Sequence, residues 1–206
     1  MTLYSFLRDF IVKPFFKIVF RFRVYGACNL PKDGAFILAS NHVSFLDPVA
    51  LGAASCVELH YMAKEDLFCN KFLKKFFNKI NMFPVKKDFH DPSAIKEATR
   101  RLKAGQPVVI FPEGTRSPNG SLLEPKFGAG FLAYLAGVPI VPAFVKGSQQ
   151  ALPRDAKFIK PKKVAVYIGN PIFLEHIKDV TEKKEIYRQL TKKVMEQIEL
   201  LCRLNG

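Results

Sequence analysis

Residues 35–55 read AFILASNHVSFLDPVALGAAS, and they hold a short apolar run, a polar turn and the start of a helix in direct succession. The apolar run Ala35–Ser40 has the length of a buried strand. Asp47 followed by Pro48 is typical of a helix start, with Asp47 as the N-cap and Pro48 at the first helical position. The stretch therefore predicts a strand, a turn and a helix as the first unit of an α/β fold.

The same alternation of apolar runs and helical segments continues along the chain. Further strands are predicted over 57–63, 82–85, 107–111, 138–145 and 164–168, and helices over 68–78, 92–105, 127–136 and from 185 onward. Strands separated by helices are typical of a mainly parallel sheet. We therefore expect a single α/β domain whose sheet is flanked by helices.

The first residues form a separate feature because residues 2–22 are rich in Phe and interrupted by basic residues. Lysine and arginine recur there every four positions, at Lys13, Lys17 and Arg21. This charge disfavours a membrane span and favours a helix lying in the membrane interface, kinked or divided at Pro14. We expect an interfacial helical segment over 1–24 and one domain over 25–206; the alternative is an ordinary helix packed on the core.

The charge balance narrows the classes of partner. Thirty-two Lys and Arg against eighteen Asp and Glu give a formal charge of +14, which attracts nucleic acid, anionic lipid or phosphorylated partners. The twenty Phe residues concentrate at 6–22 and 68–89 and form no RNA-stacking motif, which favours a membrane. The four cysteines show no C-x-x-C spacing, so neither a metal site nor a disulfide is predicted.

A candidate catalytic pair lies in the first turn. His42 follows the predicted strand and Asp47 begins the helix, so the turn can bring the carboxylate to the imidazole. An Asp that accepts from one ring nitrogen leaves the other free to take a proton from a hydroxyl. The spacing alone is weak evidence, because His60 precedes Glu65 by the same five residues. The alternative is a core or capping histidine beside a plain N-cap Asp.

A second candidate motif is FPEGTRSP at 111–118, which follows an apolar run. It therefore lies at the carboxyl end of a strand, where ligands bind in open α/β sheets. Gly114 allows close backbone approach, Thr115 adds a hydroxyl, and the Arg116 fork suits phosphate oxygens. Glu113 would orient Arg116 or the substrate. The alternative is a surface turn with an exposed arginine.

Two further segments complete the pattern. Residues 82–87 read MFPVKK, in which a short strand is followed by two lysines that a solvated surface pair would also explain. Residues 138–143 read VPIVPA, an apolar strand with two prolines that serves packing or an apolar wall of a site.

These four segments, in this order, resemble the glycerolipid acyltransferase family. Asn41-His42 through Asp47-Pro48 resembles the N-H-x-x-x-x-D motif, and residues 113–117 match E-G-T-R-S. Residues 138–143 resemble the V-P-I-x-P-[AV] block. The resemblance covers roughly residues 25–172, and two such motifs in the expected order are much more specific than either alone.

The resemblance implies transfer of an acyl chain from acyl-CoA or acyl-carrier protein to lysophosphatidate, which makes phosphatidate. His42 would be the general base and Asp47 the residue that orients it. Phosphate contacts are implied for Gly114, Thr115, Arg116 and Lys87, with Glu113 orienting the substrate. Lys87 stands where the family usually has Arg, so its charge remains while the bidentate fork is lost.

The resemblance also implies a setting for the protein. We expect no metal, no cofactor other than the acyl thioester co-substrate, no nucleic acid, and peripheral binding to anionic lipid on the cytoplasmic face of the cell membrane. Two alternatives stay open. The acceptor is a different lysolipid or an amine-containing lipid, or the chain is a basic membrane- or nucleic-acid-binding module without catalysis.

Overall fold

Seven strands form one sheet in the computed structural model, which describes residues 1–85, 92–156, 158–177 and 182–205. In chain order they are β1 Arg23–Tyr25, β2 Ile37–Ser40, β3 His60–Lys64, β4 Met82–Val85, β5 Val108–Ile110, β6 Ile140–Lys146 and β7 Ala165–Ile168. Their spatial order is β1-β7-β6-β2-β5-β3-β4. All neighbouring pairs are parallel except β6 with β7. The predicted mainly parallel α/β fold is confirmed.

Helices cover both faces of the sheet. They are α1 Leu3–Phe6, α2 Lys13–Val19, α3 Asp47–Ala54, α4 Lys71–Lys79, α5 Pro92–Lys103, α6 Gly128–Ala136, α7 Ser148–Ala151 and α8 Lys183–Asn205. Short 3₁₀ turns lie at Ala27–Asn29, Glu65–Phe68 and Leu174–His176. The predicted elements are present with bounds shifted by a few residues, whereas β1 and α7 were not predicted.

The alternation of side chains along the strands divides the core into two layers. Leu38 and Val109 pack toward α2 and α3, whereas Ile37, Val108 and Ile110 pack toward α5, α6 and α8. Every residue of β2 is buried, as expected for a central parallel strand covered on both faces. The two layers hold the carboxyl ends of β2 and β5 in a rigid position.

The N-terminal helical segment, residues 3–19, is continuous despite Pro14. A π-helical turn over Leu7–Val12 joins α1 to α2, and the Lys13 N–H bonds to the Arg8 carbonyl five residues back. Proline has no N–H to donate, and the wider turn before it lets the helix continue. The segment therefore neither divides nor breaks at the proline.

The two faces of this segment differ in burial. Phe16, and Phe20 just after the segment, are buried in the core layer that contains Leu38. Phe10 and Ile18 are exposed. The segment thus packs on the core with one face and presents apolar side chains on the other; the division at residue 24 stays a prediction. Among the described residues, no helix has the length and hydropathy needed to cross a membrane.

The start of α3 corrects one prediction. Leu46 is the N-cap and makes no side-chain cap, while Asp47 is already the first helical residue. The Asp47 carboxylate instead accepts the backbone N–H groups of Val43 and Ser44, which precede the helix. The carboxylate bonds to N–H groups of the preceding loop and to none at the start of the helix. Asp47 therefore stabilises the loop, and α3 begins without a side-chain cap.

Candidate active site

The two candidate motifs meet at one edge of the sheet. β2 and β5 are parallel neighbours, with Ala39 opposite Ile110, so their carboxyl ends lie side by side. The loop 41–47 leaves β2 there, and the loop 111–117 leaves β5. The structure therefore brings together the residues predicted for catalysis and most of those predicted for phosphate binding.

Asn41, the residue after β2, uses its side-chain amide to bond to the backbone of β6. Its Oδ1 accepts the Val145 N–H at 2.8 Å and its Nδ2 donates to the Val145 carbonyl at 3.1 Å, in a buried position. The amide thus replaces one step of backbone pairing with β6, and the chain can turn away at His42. The sequence pattern assigns Asn41 no separate role, because its partner lies 104 residues further along the chain.

His42 and Asp47 form the hydrogen bond that the turn predicts. His42 Nδ1 lies 2.9 Å from Asp47 Oδ2, and that oxygen also accepts the Val43 and Ser44 N–H groups at 2.7 Å. An acceptor as buried as Asp47 favours the imidazole tautomer with its proton on Nδ1, which leaves the Nε2 lone pair free. The His42 side chain is 17% exposed. The arrangement suits a general base, and the catalytic roles themselves stay predictions.

The ring of His42 is also held by stacking. Its centroid lies 4.0 Å from that of Phe111, with 17° between the planes. Phe111 is the first residue after β5 and therefore belongs to the second loop. Its stacking contact fixes the plane of the His42 ring, while the bond to Asp47 fixes the position of Nδ1. Two independent contacts therefore orient the imidazole.

Glu113 ties the two loops together through their backbones. Its Oε1 accepts the His42 N–H at 3.0 Å and its Oε2 accepts the Leu123 N–H at 2.9 Å. The His42 carbonyl in turn accepts the Ser117 N–H at 2.8 Å. Burial raises the pKa of the Glu113 carboxyl, and these two N–H donors oppose that rise. The observed role of Glu113 is therefore to connect the two loops, and its predicted role in orienting the substrate stays a prediction.

Arg116 lies over an aromatic ring of the loop 41–47. Its guanidinium carbon is 3.6 Å from the ring centroid of Phe45, a cation–π contact. Its buried Nη1 has no hydrogen-bond partner among the described residues. A buried donor left unpaired costs about 1–3 kcal/mol, so this nitrogen has unused hydrogen-bonding capacity.

A further basic residue lies beside the second loop. Gly114 has φ +69°, and a Cβ placed on it would come within 3.0 Å of the Lys126 Cδ. Gly114 and Thr115 are exposed next to it. A lone lysine in a loop carries no sequence signal, which is why Lys126 was missed. Lys87, predicted to contact phosphate, lies outside the described residues.

An apolar cavity of about 420 Å³ adjoins the loop 41–47. Its walls come from the N-terminal segment, α3, α4 and the sheet, and include Leu7, Val12, Phe45, Val49, Phe76 and Phe111. The hydroxyls of Tyr4 and Tyr61 are 3.1 Å apart within its lining. Phe111 contacts both the cavity and the His42 ring, so the cavity begins at the candidate base. Residues 138–143 contribute to the core and not to this wall.

The competing histidine has a different setting. His60 begins β3, is buried, and places Nδ1 3.3 Å from the Pro107 carbonyl. Burial, helped by the positive charge of Arg101, lowers its pKa to about 4. His60 is therefore a neutral core histidine. No cluster of His, Cys, Asp and Glu able to hold a metal occurs in the part of the chain that the structure describes.

Comparison with known proteins matches both loops. The profile of the family described as Acyltransferase matches residues 21–146. A 1-acyl-sn-glycerol-3-phosphate acyltransferase of Bacillus subtilis is 37% identical over 151 residues, which are 73% of this chain and 73% of the relative. One of Streptococcus pneumoniae is 28% identical over 184 residues, which are 87% of this chain and 66% of that relative.

The fold also has a solved counterpart. The crystal structure of PlsC, a 1-acyl-sn-glycerophosphate acyltransferase of Thermotoga maritima, matches with a TM-score of 0.74 at 27% identity. The match covers 94% of this chain and 80% of that one.

Proposed function

This chain belongs to the acyltransferase family, and from that membership we propose that it transfers an acyl chain from a thioester to the free hydroxyl of 1-acyl-sn-glycerol-3-phosphate. The observation that carries the proposal is the His42–Asp47 pair, held at 2.9 Å in the loop on which Arg116 is stacked. The proposed base and the proposed phosphate-binding group would then lie on one small surface. The relatives named for this reaction support the choice of acceptor.

In the proposed reaction His42 acts through Nε2. It removes the proton of the acceptor hydroxyl as that oxygen attacks the thioester carbonyl carbon. The tetrahedral intermediate then collapses, the C–S bond breaks, and the departing thiolate takes the proton from the imidazolium. Asp47 stabilises the imidazolium through Nδ1. General base catalysis of this kind contributes about 10²–10⁴-fold.

Binding of the acceptor phosphate would supply much of the remaining rate by positioning the hydroxyl. Arg116 is partly exposed in the second loop, and Gly114 and Thr115 are exposed beside it. Lys126 adds charge next to Gly114, and Lys87 is predicted to do the same. A glycerol whose phosphate is held here would carry its hydroxyl toward the His42 ring.

The acyl chain of the donor would lie in the apolar cavity that begins at Phe111. The donor is acyl-CoA or acyl-carrier protein, and the formal charge of +14 attracts both anions. The exposed Phe10 and Ile18 of the N-terminal segment would hold the enzyme at an anionic membrane surface, on its cytoplasmic face, where the acceptor resides.

The experiment is an acyl-transfer assay on purified protein. A panel of lysolipids is incubated with acyl-CoA or acyl-carrier protein, and products are identified by mass spectrometry. We expect phosphatidate, lost in His42→Ala and retained in a matched control at the exposed His176, His176→Ala. If only another lysolipid is acylated, the proposal that lysophosphatidate is the acceptor is wrong. Lipid or nucleic-acid binding without any transfer would favour a binding module.

A further inference from the structure

The helix α4 presents an apolar face to solvent. Phe72, Leu73 and Phe76, called the α4 face below, are all exposed, and Phe72 is 84% exposed. Phe76 lies four residues after Phe72 and three after Leu73, which places the three side chains on one side of the helix. No residue of α4 is buried. Leaving such a cluster in water forfeits the burial energy that large apolar side chains normally contribute.

The charge around this face has a single sign. α4 contains four lysines, Lys71, Lys74, Lys75 and Lys79, and no acidic residue. From Leu67 to Lys87 the sequence has six lysines and no Asp or Glu. Phenylalanine beside lysine on a short helix is the pattern of a helix that lies in the interface of an anionic bilayer.

The fold holds α4 with this face outward. The Phe77 ring, at the border of this face, contacts the buried Phe68 ring with centroids 5.5 Å apart, which attaches the helix to the fold. Asn70 caps the helix by accepting the N–H groups of Phe72 and Leu73 at 2.8 and 3.3 Å. The outward position of the α4 face is therefore built into the local structure.

The face also adjoins the apolar cavity. Phe76 and Ile80 form part of the cavity wall, and Leu7 and Val12 of the N-terminal segment form another part. The N-terminal segment has its own exposed apolar side chains, Phe10 among them. The cavity therefore lies between two helical surfaces of the same amphipathic kind.

We propose that the α4 face inserts into the interface of an anionic bilayer as a second membrane contact, so that the cavity opens toward lipid between two inserted helices. The acyl nature of the cavity's occupant rests on the proposed function; the lipid contact does not. Lysines at the edge of the face select anionic lipid, and each contributes about fivefold to partitioning.

The test uses the absence of tryptophan from the chain. Phe72→Trp places a single indole on the α4 face. Phe173→Trp is the control, because Phe173 is also exposed, at 42%, and lies two residues before Glu175 and outside any lysine cluster. With vesicles of phosphatidylcholine and phosphatidylglycerol, the Phe72→Trp emission should shift to the blue and be quenched by brominated acyl chains. The control emission should not change.

Three results would overturn the inference. The first is an equal response, or none, from the two indoles. The second is a Phe72→Trp response to single-stranded DNA that matches the response to vesicles, which would indicate a nucleic-acid surface. The third is a blue shift that grows with protein concentration without vesicles, because a second copy of the chain would then cover the face.

A charge variant provides an independent measurement. Lys75→Gln combined with Lys79→Gln, which removes two exposed lysines beside Phe72, should lower vesicle partitioning about 25-fold. The same change at the exposed Lys162 and Lys163 alters net charge equally and should have a much smaller effect. Equal loss in both variants would contradict the inference. A protein that binds vesicles through α4 and transfers no acyl chain would overturn the proposed function alone.

Discussion

A single oxygen of Asp47 accepts three N–H groups, from His42, Val43 and Ser44. His42→Ala should abolish acyl transfer, because no other group in the loop takes its place as base. Asp47→Asn keeps an acceptor oxygen but loses the charge that stabilises the imidazolium, so we expect kcat to fall about 10²-fold or more with some activity left. Steady-state kinetics on both variants measure this. Near-normal turnover by His42→Ala would refute the mechanism.

Arg116 should act on the acceptor. Arg116→Ala should raise the KM for lysophosphatidate about tenfold or more and leave the KM for the thioester unchanged, since a charge-assisted contact to phosphate is lost. Lys87→Ala should have a milder effect of the same kind. Arg188→Ala is a matched control, because Arg188 also lies over a phenylalanine ring, that of Phe127. If Arg116→Ala changes only the KM for the thioester, Arg116 contacts the acyl donor and not the acceptor.

The pairing of His42 with Asp47 could be predicted, because a turn between a strand and a helix brings them together. The contacts of Asn41, Glu113 and Lys126 could not, since each depends on a segment far along the chain or on another loop. Asn41 reaches Val145, and Glu113 reaches the His42 backbone 71 residues away. Short-range spacing contains no information about such partners.

Among the elements, the N-terminal helical segment has two faces that should respond differently to substitution. Phe16→Ala removes a ring buried in the core and should lower the free energy of unfolding by about 3–5 kcal/mol. Phe10→Ser changes an exposed ring and should leave stability nearly intact while weakening vesicle binding. Thermal unfolding and vesicle flotation across a salt series separate the two effects. Flotation of Phe10→Ser equal to that of the parent would show that this face does not bind lipid.

Apolar runs between helices located the central strands, because a parallel sheet buries both faces of each strand. β1 and α7 were missed because neither contains an apolar run: β1 is an edge strand with two exposed residues, and α7 reads SQQA. The N-cap at Asp47 was wrong because the loop before α3 offers its own N–H donors to the same carboxylate. A sequence pattern therefore predicts local structure correctly where no neighbouring segment offers the same side chain another hydrogen bond.

For the molecule as a whole, His60 should make stability depend on pH. Burial first, and then the charge of Arg101, lower its pKa to about 4, while an unfolded histidine has a pKa near 6.5. The unfolded chain therefore binds the proton first, so this stability is complete above about pH 6.5 and is lost as pH falls toward 4. Urea titrations should show a slope of up to about 1.4 kcal/mol per pH unit in this window. His60→Gln should flatten it; an unchanged slope would assign the dependence to other groups.

The backbone contacts of His42 with Glu113 and Ser117 have a consequence for protein engineering. The loop that carries the base and the loop proposed to read the headgroup share one set of hydrogen bonds. A chimera that imports residues 113–117 from a relative with another acceptor would also shift the imidazole, unless residues 41–47 come from the same donor. Acceptor preference in this scaffold should therefore be exchangeable only as a cassette of both loops.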